Sequence, residues 1–326
     1  MPEGPELCLA SRFVTKIGAK HVFGGQIVKS EVSHKNPEVP FQAQKYKIWA
    51  ESRGKEMKVF LEEVSQKKSN RLHVLFRFGM SGCFKFTKLA ELPKHAHLRF
   101  FTVDRKHVLS FVDYRRFGRW EINGDWGKDR GPDAVREYQE FRSHILGNLK
   151  HVAFNKPICE VLMNQKFFNG IGNYLRAEIL FRGGVPPFDP AREVLESLSM
   201  KQDPSIKIKF EKPDILELCH TIQKEVLSLG GGKGYDVENN AEDQAVFMNW
   251  LQCYYQDGMT NLVDSNKRTV WFSGHPGKLA PKNGISRGKV GSQKPPTPVK
   301  IKKTMKVKIE TDHDYSPKKL RSRTKK

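Results

Sequence analysis

The sequence predicts an α+β protein in which an N-terminal helix and an antiparallel β-sandwich precede a mostly helical domain. Three observations predict it. Short segments rich in β-branched and aromatic residues crowd the stretch from 26 to 122, most of them separated by Gly, Asn, Asp or charged turns, and many short strands in a row argue for an antiparallel sandwich. From 135 to 255 apolar residues recur instead every three or four positions, as on one face of a helix. Between the two lies Asn123-Gly-Asp-Trp-Gly-Lys-Asp-Arg-Gly-Pro132, which reads as a linker because glycine, proline and aspartate interrupt regular structure.

Pro5 and Glu6 suit a first helical turn, where a missing N–H is harmless and negative charge is favoured. Leu7, Ala10, Val14 and Ile17 continue at helical spacing, which predicts a helix over about 5–17. Strands are expected at Gln26–Val32, Tyr46–Ala50, Met57–Leu61, Leu72–Phe78, Leu98–Val103, Val108–Val112 and Arg119–Ile122. Val135, Tyr138, Phe141, Ile145 and Leu149 mark the first helix of the second domain, and helical patterns continue near 157–165, 172–182, 213–229 and 242–255. Asn261–Val263 and Thr269–Phe272 flank the turn-like Asp264-Ser-Asn-Lys267 and read as a β-hairpin. After about Gly284 the chain is Lys, Pro, Ser and Thr with little apolar content, the composition of a disordered segment. The expected domains are 1–132, 133–283 and a basic tail, 284–326.

Charge narrows the partner. The chain has 57 Lys and Arg against 36 Asp and Glu, a net +21, and residues 281–326 alone hold 15 basic and 3 acidic residues. Such an excess attracts polyanions without specifying a fold, and nucleic acid is the expected partner. The five cysteines are far apart with no C-x-x-C pair, which disfavours a disulfide framework or a cysteine-rich zinc site. No segment reads as a signal peptide or approaches 18 apolar residues, so a soluble intracellular protein without membrane contact is expected. Gly230-Gly-Gly-Lys-Gly-Tyr235 looks like a phosphate loop but lacks the G-x-x-x-x-G-K-[ST] spacing, which disfavours triphosphate binding.

Six motifs occur in order: Pro2-Glu-Gly-Pro-Glu6, Arg53-Gly-Lys55, Arg77-Phe-Gly-Met-Ser-Gly82, His95-Ala-His97, Asp113-Tyr-Arg-Arg-Phe-Gly118 and Asn169-Gly-Ile-Gly-Asn-Tyr174. Together they resemble the formamidopyrimidine-DNA glycosylase/endonuclease VIII family, in particular its animal branch, from Pro2 to about Pro281. The resemblance implies a β-sandwich domain, a helix–two-turns–helix domain and a DNA cleft between them. It also implies a bifunctional glycosylase/lyase of base excision repair that acts on oxidised pyrimidines, formamidopyrimidines and hydantoins. Many bacterial relatives end in a four-cysteine zinc finger, whereas only Cys253 lies in that region here. A zinc finger cannot be built from these residues, and the animal branch is similar in replacing it with a metal-free hairpin. No metal and no cofactor are therefore expected.

The chemistry needs an unprotonated amine. An α-amine with a pKa of about 7.7–8 is neutral about a tenth of the time at pH 7, whereas a lysine at about 10.4 is neutral under 0.1% of the time. Pro2, freed by removal of Met1, thus starts with an advantage as nucleophile, and the resemblance implies that role. It implies general acid/base work for Glu3, and for Lys55 assistance with cleavage and a phosphate. Met80, Arg115 and Phe117 match the family's trio that fills the gap left by the flipped nucleotide. Asn173, before which two glycines open a helix, matches a phosphate ligand, as does Arg268 in the hairpin. Several positions keep two readings: Glu6 contacts the lesion base or is a helix-start charge, His95 touches a phosphate or is structural, and Lys233 and Tyr235 read the flipped base or belong to a flexible helix end. Expected partners are damaged DNA, duplex or single-stranded, and repair or replication proteins on the tail, for a monomer in the nucleus. Ser316–Lys326 reads as a nuclear address or as a plain basic end. The rival class is a non-catalytic DNA reader, which needs neither a free Pro2 nor Glu3.

Overall fold

The computed structural model describes residues 2–65, 70–199, 213–229 and 241–282. A helix, α1 (Gly4–Lys20), opens the chain and lies against the longest strands of a five-stranded antiparallel sheet. That sheet has the order β1 (Phe23–Gln26), β3 (Gln42–Arg53), β4 (Glu56–Glu63), β5 (Arg71–Arg77) and β9 (Arg119–Ile122). A four-stranded sheet orders β2 (Val28–Lys29), β7 (Ala96–Phe101), β8 (His107–Val112) and β6 (Cys83–Lys88). Leu7, Val14 and Ile17 of α1 share one apolar core with Ile48, Val59, Phe76, Phe100 and Phe111 from the two sheets.

The second half is helical: α2 (Tyr138–Gly147), α3 (Ile158–Val161), α4 (Asn173–Arg182), α5 (Ala191–Ser199), α6 (Ile215–Ser228) and α7 (Ala241–Trp250). A hairpin of β10 (Thr260–Val263) and β11 (Thr269–Phe272) follows, with Val263 opposite Thr269. Phe141, Phe154, Phe168, Leu175, Ile179 and Ile222 centre a separate core, so the two apolar clusters divide the chain between Ile122 and Ala134. Charged and polar residues tie the halves together, as shown below.

The α+β reading, the opening helix, the sandwich, the helical half and the hairpin are all present, and five elements differ. The expected strand Gln26–Val32 splits, because the chain passes from one sheet to the other at the buried Ile27: Gln26 pairs with Gln42, but Val28 pairs with Arg99. The pattern near 157–165 shortens to one turn, Ile158–Val161. The last helix stops at Trp250 rather than 255, because the N–H groups of Gln252, Cys253 and Tyr254 donate to the Glu178 carboxylate instead of to helix carbonyls. Strand β6 and helix α5 were not expected. The tail from 283 onward lies outside the described residues.

Candidate active site

Three glycines bring the site together. Gly4 donates its N–H to the Gly170 carbonyl at 2.8 Å. A Cβ added at Gly170, whose φ is +100°, would lie 3.5 Å from the Gly54 Cα and 3.6 Å from the Gly4 Cα. One added at Gly54, at φ +54°, would overlap the Asn169 side-chain oxygen. Only residues without side chains allow the start of α1, the β3–β4 turn and the loop before α4 to meet so closely. Their neighbours Glu3, Lys55 and Asn173 are placed by that junction.

Glu3 is 1% exposed. Its Oε1 accepts the Tyr174 N–H at 3.1 Å and its Oε2 the Leu175 N–H at 3.3 Å, so the carboxylate caps α4 from another part of the chain. A Cβ at Gly172 would collide with that carboxylate, which explains the second glycine of the motif. Burial pushes the Glu3 pKa from 4.5 up to about 7; Lys55 and the Tyr174 N–H pull the other way, and Glu6 adds to the rise. Lys55 is part-buried, and burial pulls its ammonium below the usual lysine range. Arg130 and Arg268 lower it further while Glu3 and Glu6 oppose the shift. A carboxyl raised and an amine lowered, side by side, suit proton transfer near neutral pH.

The β3–β4 turn that carries Lys55 is held by the helical half. Asp133 accepts the Gly54 N–H at 2.7 Å, and Glu137 accepts from the Arg53 guanidinium at 2.8 Å and from the Asp133 N–H at 2.6 Å. The structure places Glu6 beneath Pro2–Glu3: its Oε2 accepts the Glu3 N–H at 2.8 Å, and Tyr174 Oη donates to its Oε1 at 3.0 Å. Both oxygens thus meet protein donors.

Met80 and Phe117 are 41% and 51% exposed, on two turns that interlock. Ser81 Oγ donates to Asp113 and accepts the Arg115 N–H at 3.1 Å, and Asp113 Oδ2 accepts the Gly118 N–H at 2.7 Å. The Arg115 guanidinium lies 5.1 Å from the Phe117 ring centroid. His95 belongs to this region: its carbonyl accepts the Asp113 N–H at 3.1 Å. Lys233 and Tyr235 lie outside the described residues.

Asn173 opens α4, and its Nδ2 donates to the Thr269 carbonyl of the hairpin at 3.2 Å. One turn on, the fully buried Arg176 donates to Asp264 Oδ2 at 2.7 Å. Asp264 Oδ1 accepts the Asn266 and Arg268 N–H groups, each at 2.9 Å. Arg268 is therefore exposed on a turn whose backbone is fixed through Asp264 to α4. Among the described residues no group of three His, Cys, Asp or Glu is placed to hold a metal ion.

Two family models match: the formamidopyrimidine-DNA glycosylase N-terminal domain over residues 1–120 and the endonuclease VIII-like 1 DNA-binding segment over 243–281. The human endonuclease 8-like 1 is 51% identical over 300 residues, 89% of this chain and 76% of that protein. The mouse protein of that name is also 51% identical, over 89% of this chain and 77% of that protein. The chain belongs to the formamidopyrimidine-DNA glycosylase/endonuclease VIII family. Solved structures agree on the fold. The protein from Thermus thermophilus superposes with a TM-score of 0.58 at 20% identity, covering 83% of this chain and 97% of that one. Formamidopyrimidine-DNA glycosylase of Lactococcus lactis, bound to DNA with an abasic site, gives 0.60 at 18% identity over 83% and 97%.

The family is one of DNA glycosylases with lyase activity, and the chain is a DNA-repair enzyme of that kind. Sequence reasoning missed the residues that hold this family's site together here: Asp133, Glu137, Asn169, Arg176, Glu178 and Asp264. Asn169 and Asp264 stood inside segments already singled out. The rest pair residues 74 or more positions apart, which no local pattern reveals.

Proposed function

We propose that the chain excises oxidised pyrimidines, formamidopyrimidines and hydantoins from DNA and then cuts the strand, with Pro2 as nucleophile once Met1 is removed. The single observation that carries this reading is the Glu3 carboxyl, buried at the start of α4 beside Pro2 and Lys55 and raised to about 7. The neutral Pro2 amine attacks the sugar C1′. An N–C1′ bond forms, the C1′–base bond breaks, and the base leaves with the bonding pair and a proton from Glu3. The remaining N–H proton passes to O4′ as the sugar ring opens, giving a cationic iminium. The Glu3 carboxylate then removes a C2′ proton, and the electron pair expels the 3′ phosphate in β-elimination. Loss of a C4′ proton expels the 5′ phosphate in δ-elimination, and water hydrolyses the iminium to release Pro2. Secondary amines form iminium ions that cannot lose a further N–H, so the electron sink persists through both eliminations.

Lys55 pairs with a phosphate beside the reacting sugar, and Asn173 and Arg268 hold the backbone near it. Met80, Arg115 and Phe117 occupy the gap that the flipped nucleotide leaves. Lys233 and Tyr235 read the flipped base, and His95 orders the Asp113 turn. The protein works as a monomer in the nucleus, with repair or replication proteins as partners of the tail and with 1–132, 133–283 and 284–326 as its units. Borohydride reduction on an oligonucleotide with one oxidised pyrimidine tests the reading. A covalent adduct is expected, lost in Pro2→Ala and when Met1 is retained. Correctly processed protein that binds the oligonucleotide without forming an adduct would instead be a damage reader.

A further inference from the structure

Glu56 follows Lys55 directly, is fully buried, and takes no part in the chemistry described above. Its two oxygens meet donors from two other parts of the chain. Oε1 accepts the Arg77 Nε–H at 2.7 Å and lies 3.3 Å from the Arg130 Nε, and Oε2 accepts the Gly127 N–H at 2.9 Å. Arg77 also pairs with Glu121. A Cβ added at Gly127 would stand 3.3 Å from Oε1, so the backbone there lies hard against the carboxylate. Two residues further along β4, Lys58 reaches Asp125 at 3.5 Å and lies 4.8 Å from the Trp126 ring centroid. The segment between the halves is thus fastened to the start of β4.

Each tie leads to the lysine turn or to the gap-filling turn. Arg77 ends β5, and the chain runs on through Phe78 and Gly79 to Met80. Arg130 is followed by Gly131, whose carbonyl accepts from Asn169 Nδ2 at 2.9 Å, and Asn169 packs on Gly54. With Asp133 on Gly54 and Glu137 on Arg53, the turn is gripped from both sides. Arg130 is held at a cost, because its Nη1 is buried without an acceptor among the described residues. Beside burial, Arg130 is also what most disfavours the Lys55 ammonium. Stability does not explain such an arrangement, since apolar side chains in place of a buried ion pair are often as stable or more so. What it secures is a fixed place for Lys55 relative to the strand that leads to Met80.

We propose that Glu56 is a positioning residue for strand cutting. Through Arg77, Gly127 and Arg130 it holds the Gly54–Lys55 turn where the lysine meets the phosphate beside the reacting sugar. Being fully buried, it acts through Lys55 and not on the DNA. The inference rests on the cleavage role given to Lys55 above.

The test is cutting of a duplex with a preformed abasic site, in single turnover at saturating full-length protein lacking Met1. Glu56→Gln keeps the side-chain size and removes the charge. It is expected to slow cutting roughly 10²-fold, the effect of about 1 Å at a reacting group, while duplex Kd stays within about threefold. In a Lys55→Ala background the same substitution is expected to change the rate less than about twofold, because residues that act through one another are not additive. A full loss in that background would mark a general structural role and overturn the proposal, as would native-like cutting by Glu56→Gln. Arg130→Met decides the matter if Glu56→Gln does not fold, since it removes a part-exposed charge together with the N–H that has no acceptor. It is expected to slow cutting on the order of tenfold, the worth of one charge-assisted contact, and an unchanged rate would overturn the proposal. Borohydride trapping of the native chain is run alongside. A native adduct with variants that cut normally removes the role of Glu56 alone; a native chain that forms no adduct and leaves the abasic site uncut removes the catalytic reading instead.

Discussion

At the scale of single residues the decisive quantity is the protonation of Glu3. Under the proposed mechanism, the α-amine value of about 7.7–8 expected for an N-terminal amine makes excision rise with pH as Pro2 loses its proton. Excision then falls as Glu3 loses its own through about 7. A bell-shaped profile of single-turnover excision is expected, centred near neutrality. Glu3→Gln should lower the rate by about 10²–10⁴-fold, the usual span for general acid–base catalysis, and should abolish the alkaline limb. The same shift has a sign for stability. A carboxyl whose folded pKa lies above its unfolded value favours folding at acid pH and loses that contribution as pH rises from 4.5 to about 7. Glu3→Gln is therefore expected to be more stable than the native chain above pH 7, by on the order of 2 kcal/mol, in denaturant melts. Equal midpoints at pH 8 would contradict it. At Gly54 the argument is steric: Gly54→Ala forces the lysine turn away from Asn169, and a displacement of about 1 Å at a reacting group costs roughly 10²-fold. Excision should drop while duplex binding holds within about threefold, since phosphate contacts dominate affinity.

Among the elements, the hairpin depends most on a distant partner. Arg176 and Asp264 form a fully buried pair, and Asp264 also fixes the turn that presents Arg268. Removing one charge of a buried pair costs about 3–5 kcal/mol. Asp264→Asn, which keeps a turn acceptor, is expected to lose stability of that order in urea melts. It is also expected to weaken duplex binding and to reduce its salt dependence by about one contact. This element was legible in advance, because Thr, Val, Trp and Phe flank a polar turn. Strand β6 was legible too, in the alternation of Phe84 and Phe86 with Lys85 and Thr87, but it sits directly behind the Met80 motif, and no element is expected there from the sequence. Helix α5 offered Ala191, Leu195 and Leu198 on one buried face after Pro190. The split of β1 from β2 was not legible, since nothing local says that successive residues pair with strands of different sheets.

For the molecule as a whole, the periodicities showed the sandwich and the helical half that carry the motifs. The brace between the halves was hidden, because Asp133 to Gly54 and Arg53 to Glu137 are contacts across the linker. Charge was the other whole-chain property open to reading. With 15 basic residues in 281–326, a chain ending at Lys282 is expected to bind undamaged duplex more weakly at low salt. Adduct formation on a lesion should change little, as gel shifts and trapping at matched ionic strength will show.

Pro2 and Glu3 are buried where α1 begins. An aminopeptidase has to take the preceding residue in an extended, accessible form, and after folding that stretch is locked against the loop before α4. Under the proposed mechanism, maturation is then expected to be a race between trimming and folding, and protein that folds first is expected to stay inert. Folded chain carrying Met1 should resist methionine aminopeptidase for hours, and a brief passage through denaturant with the peptidase present should awaken it.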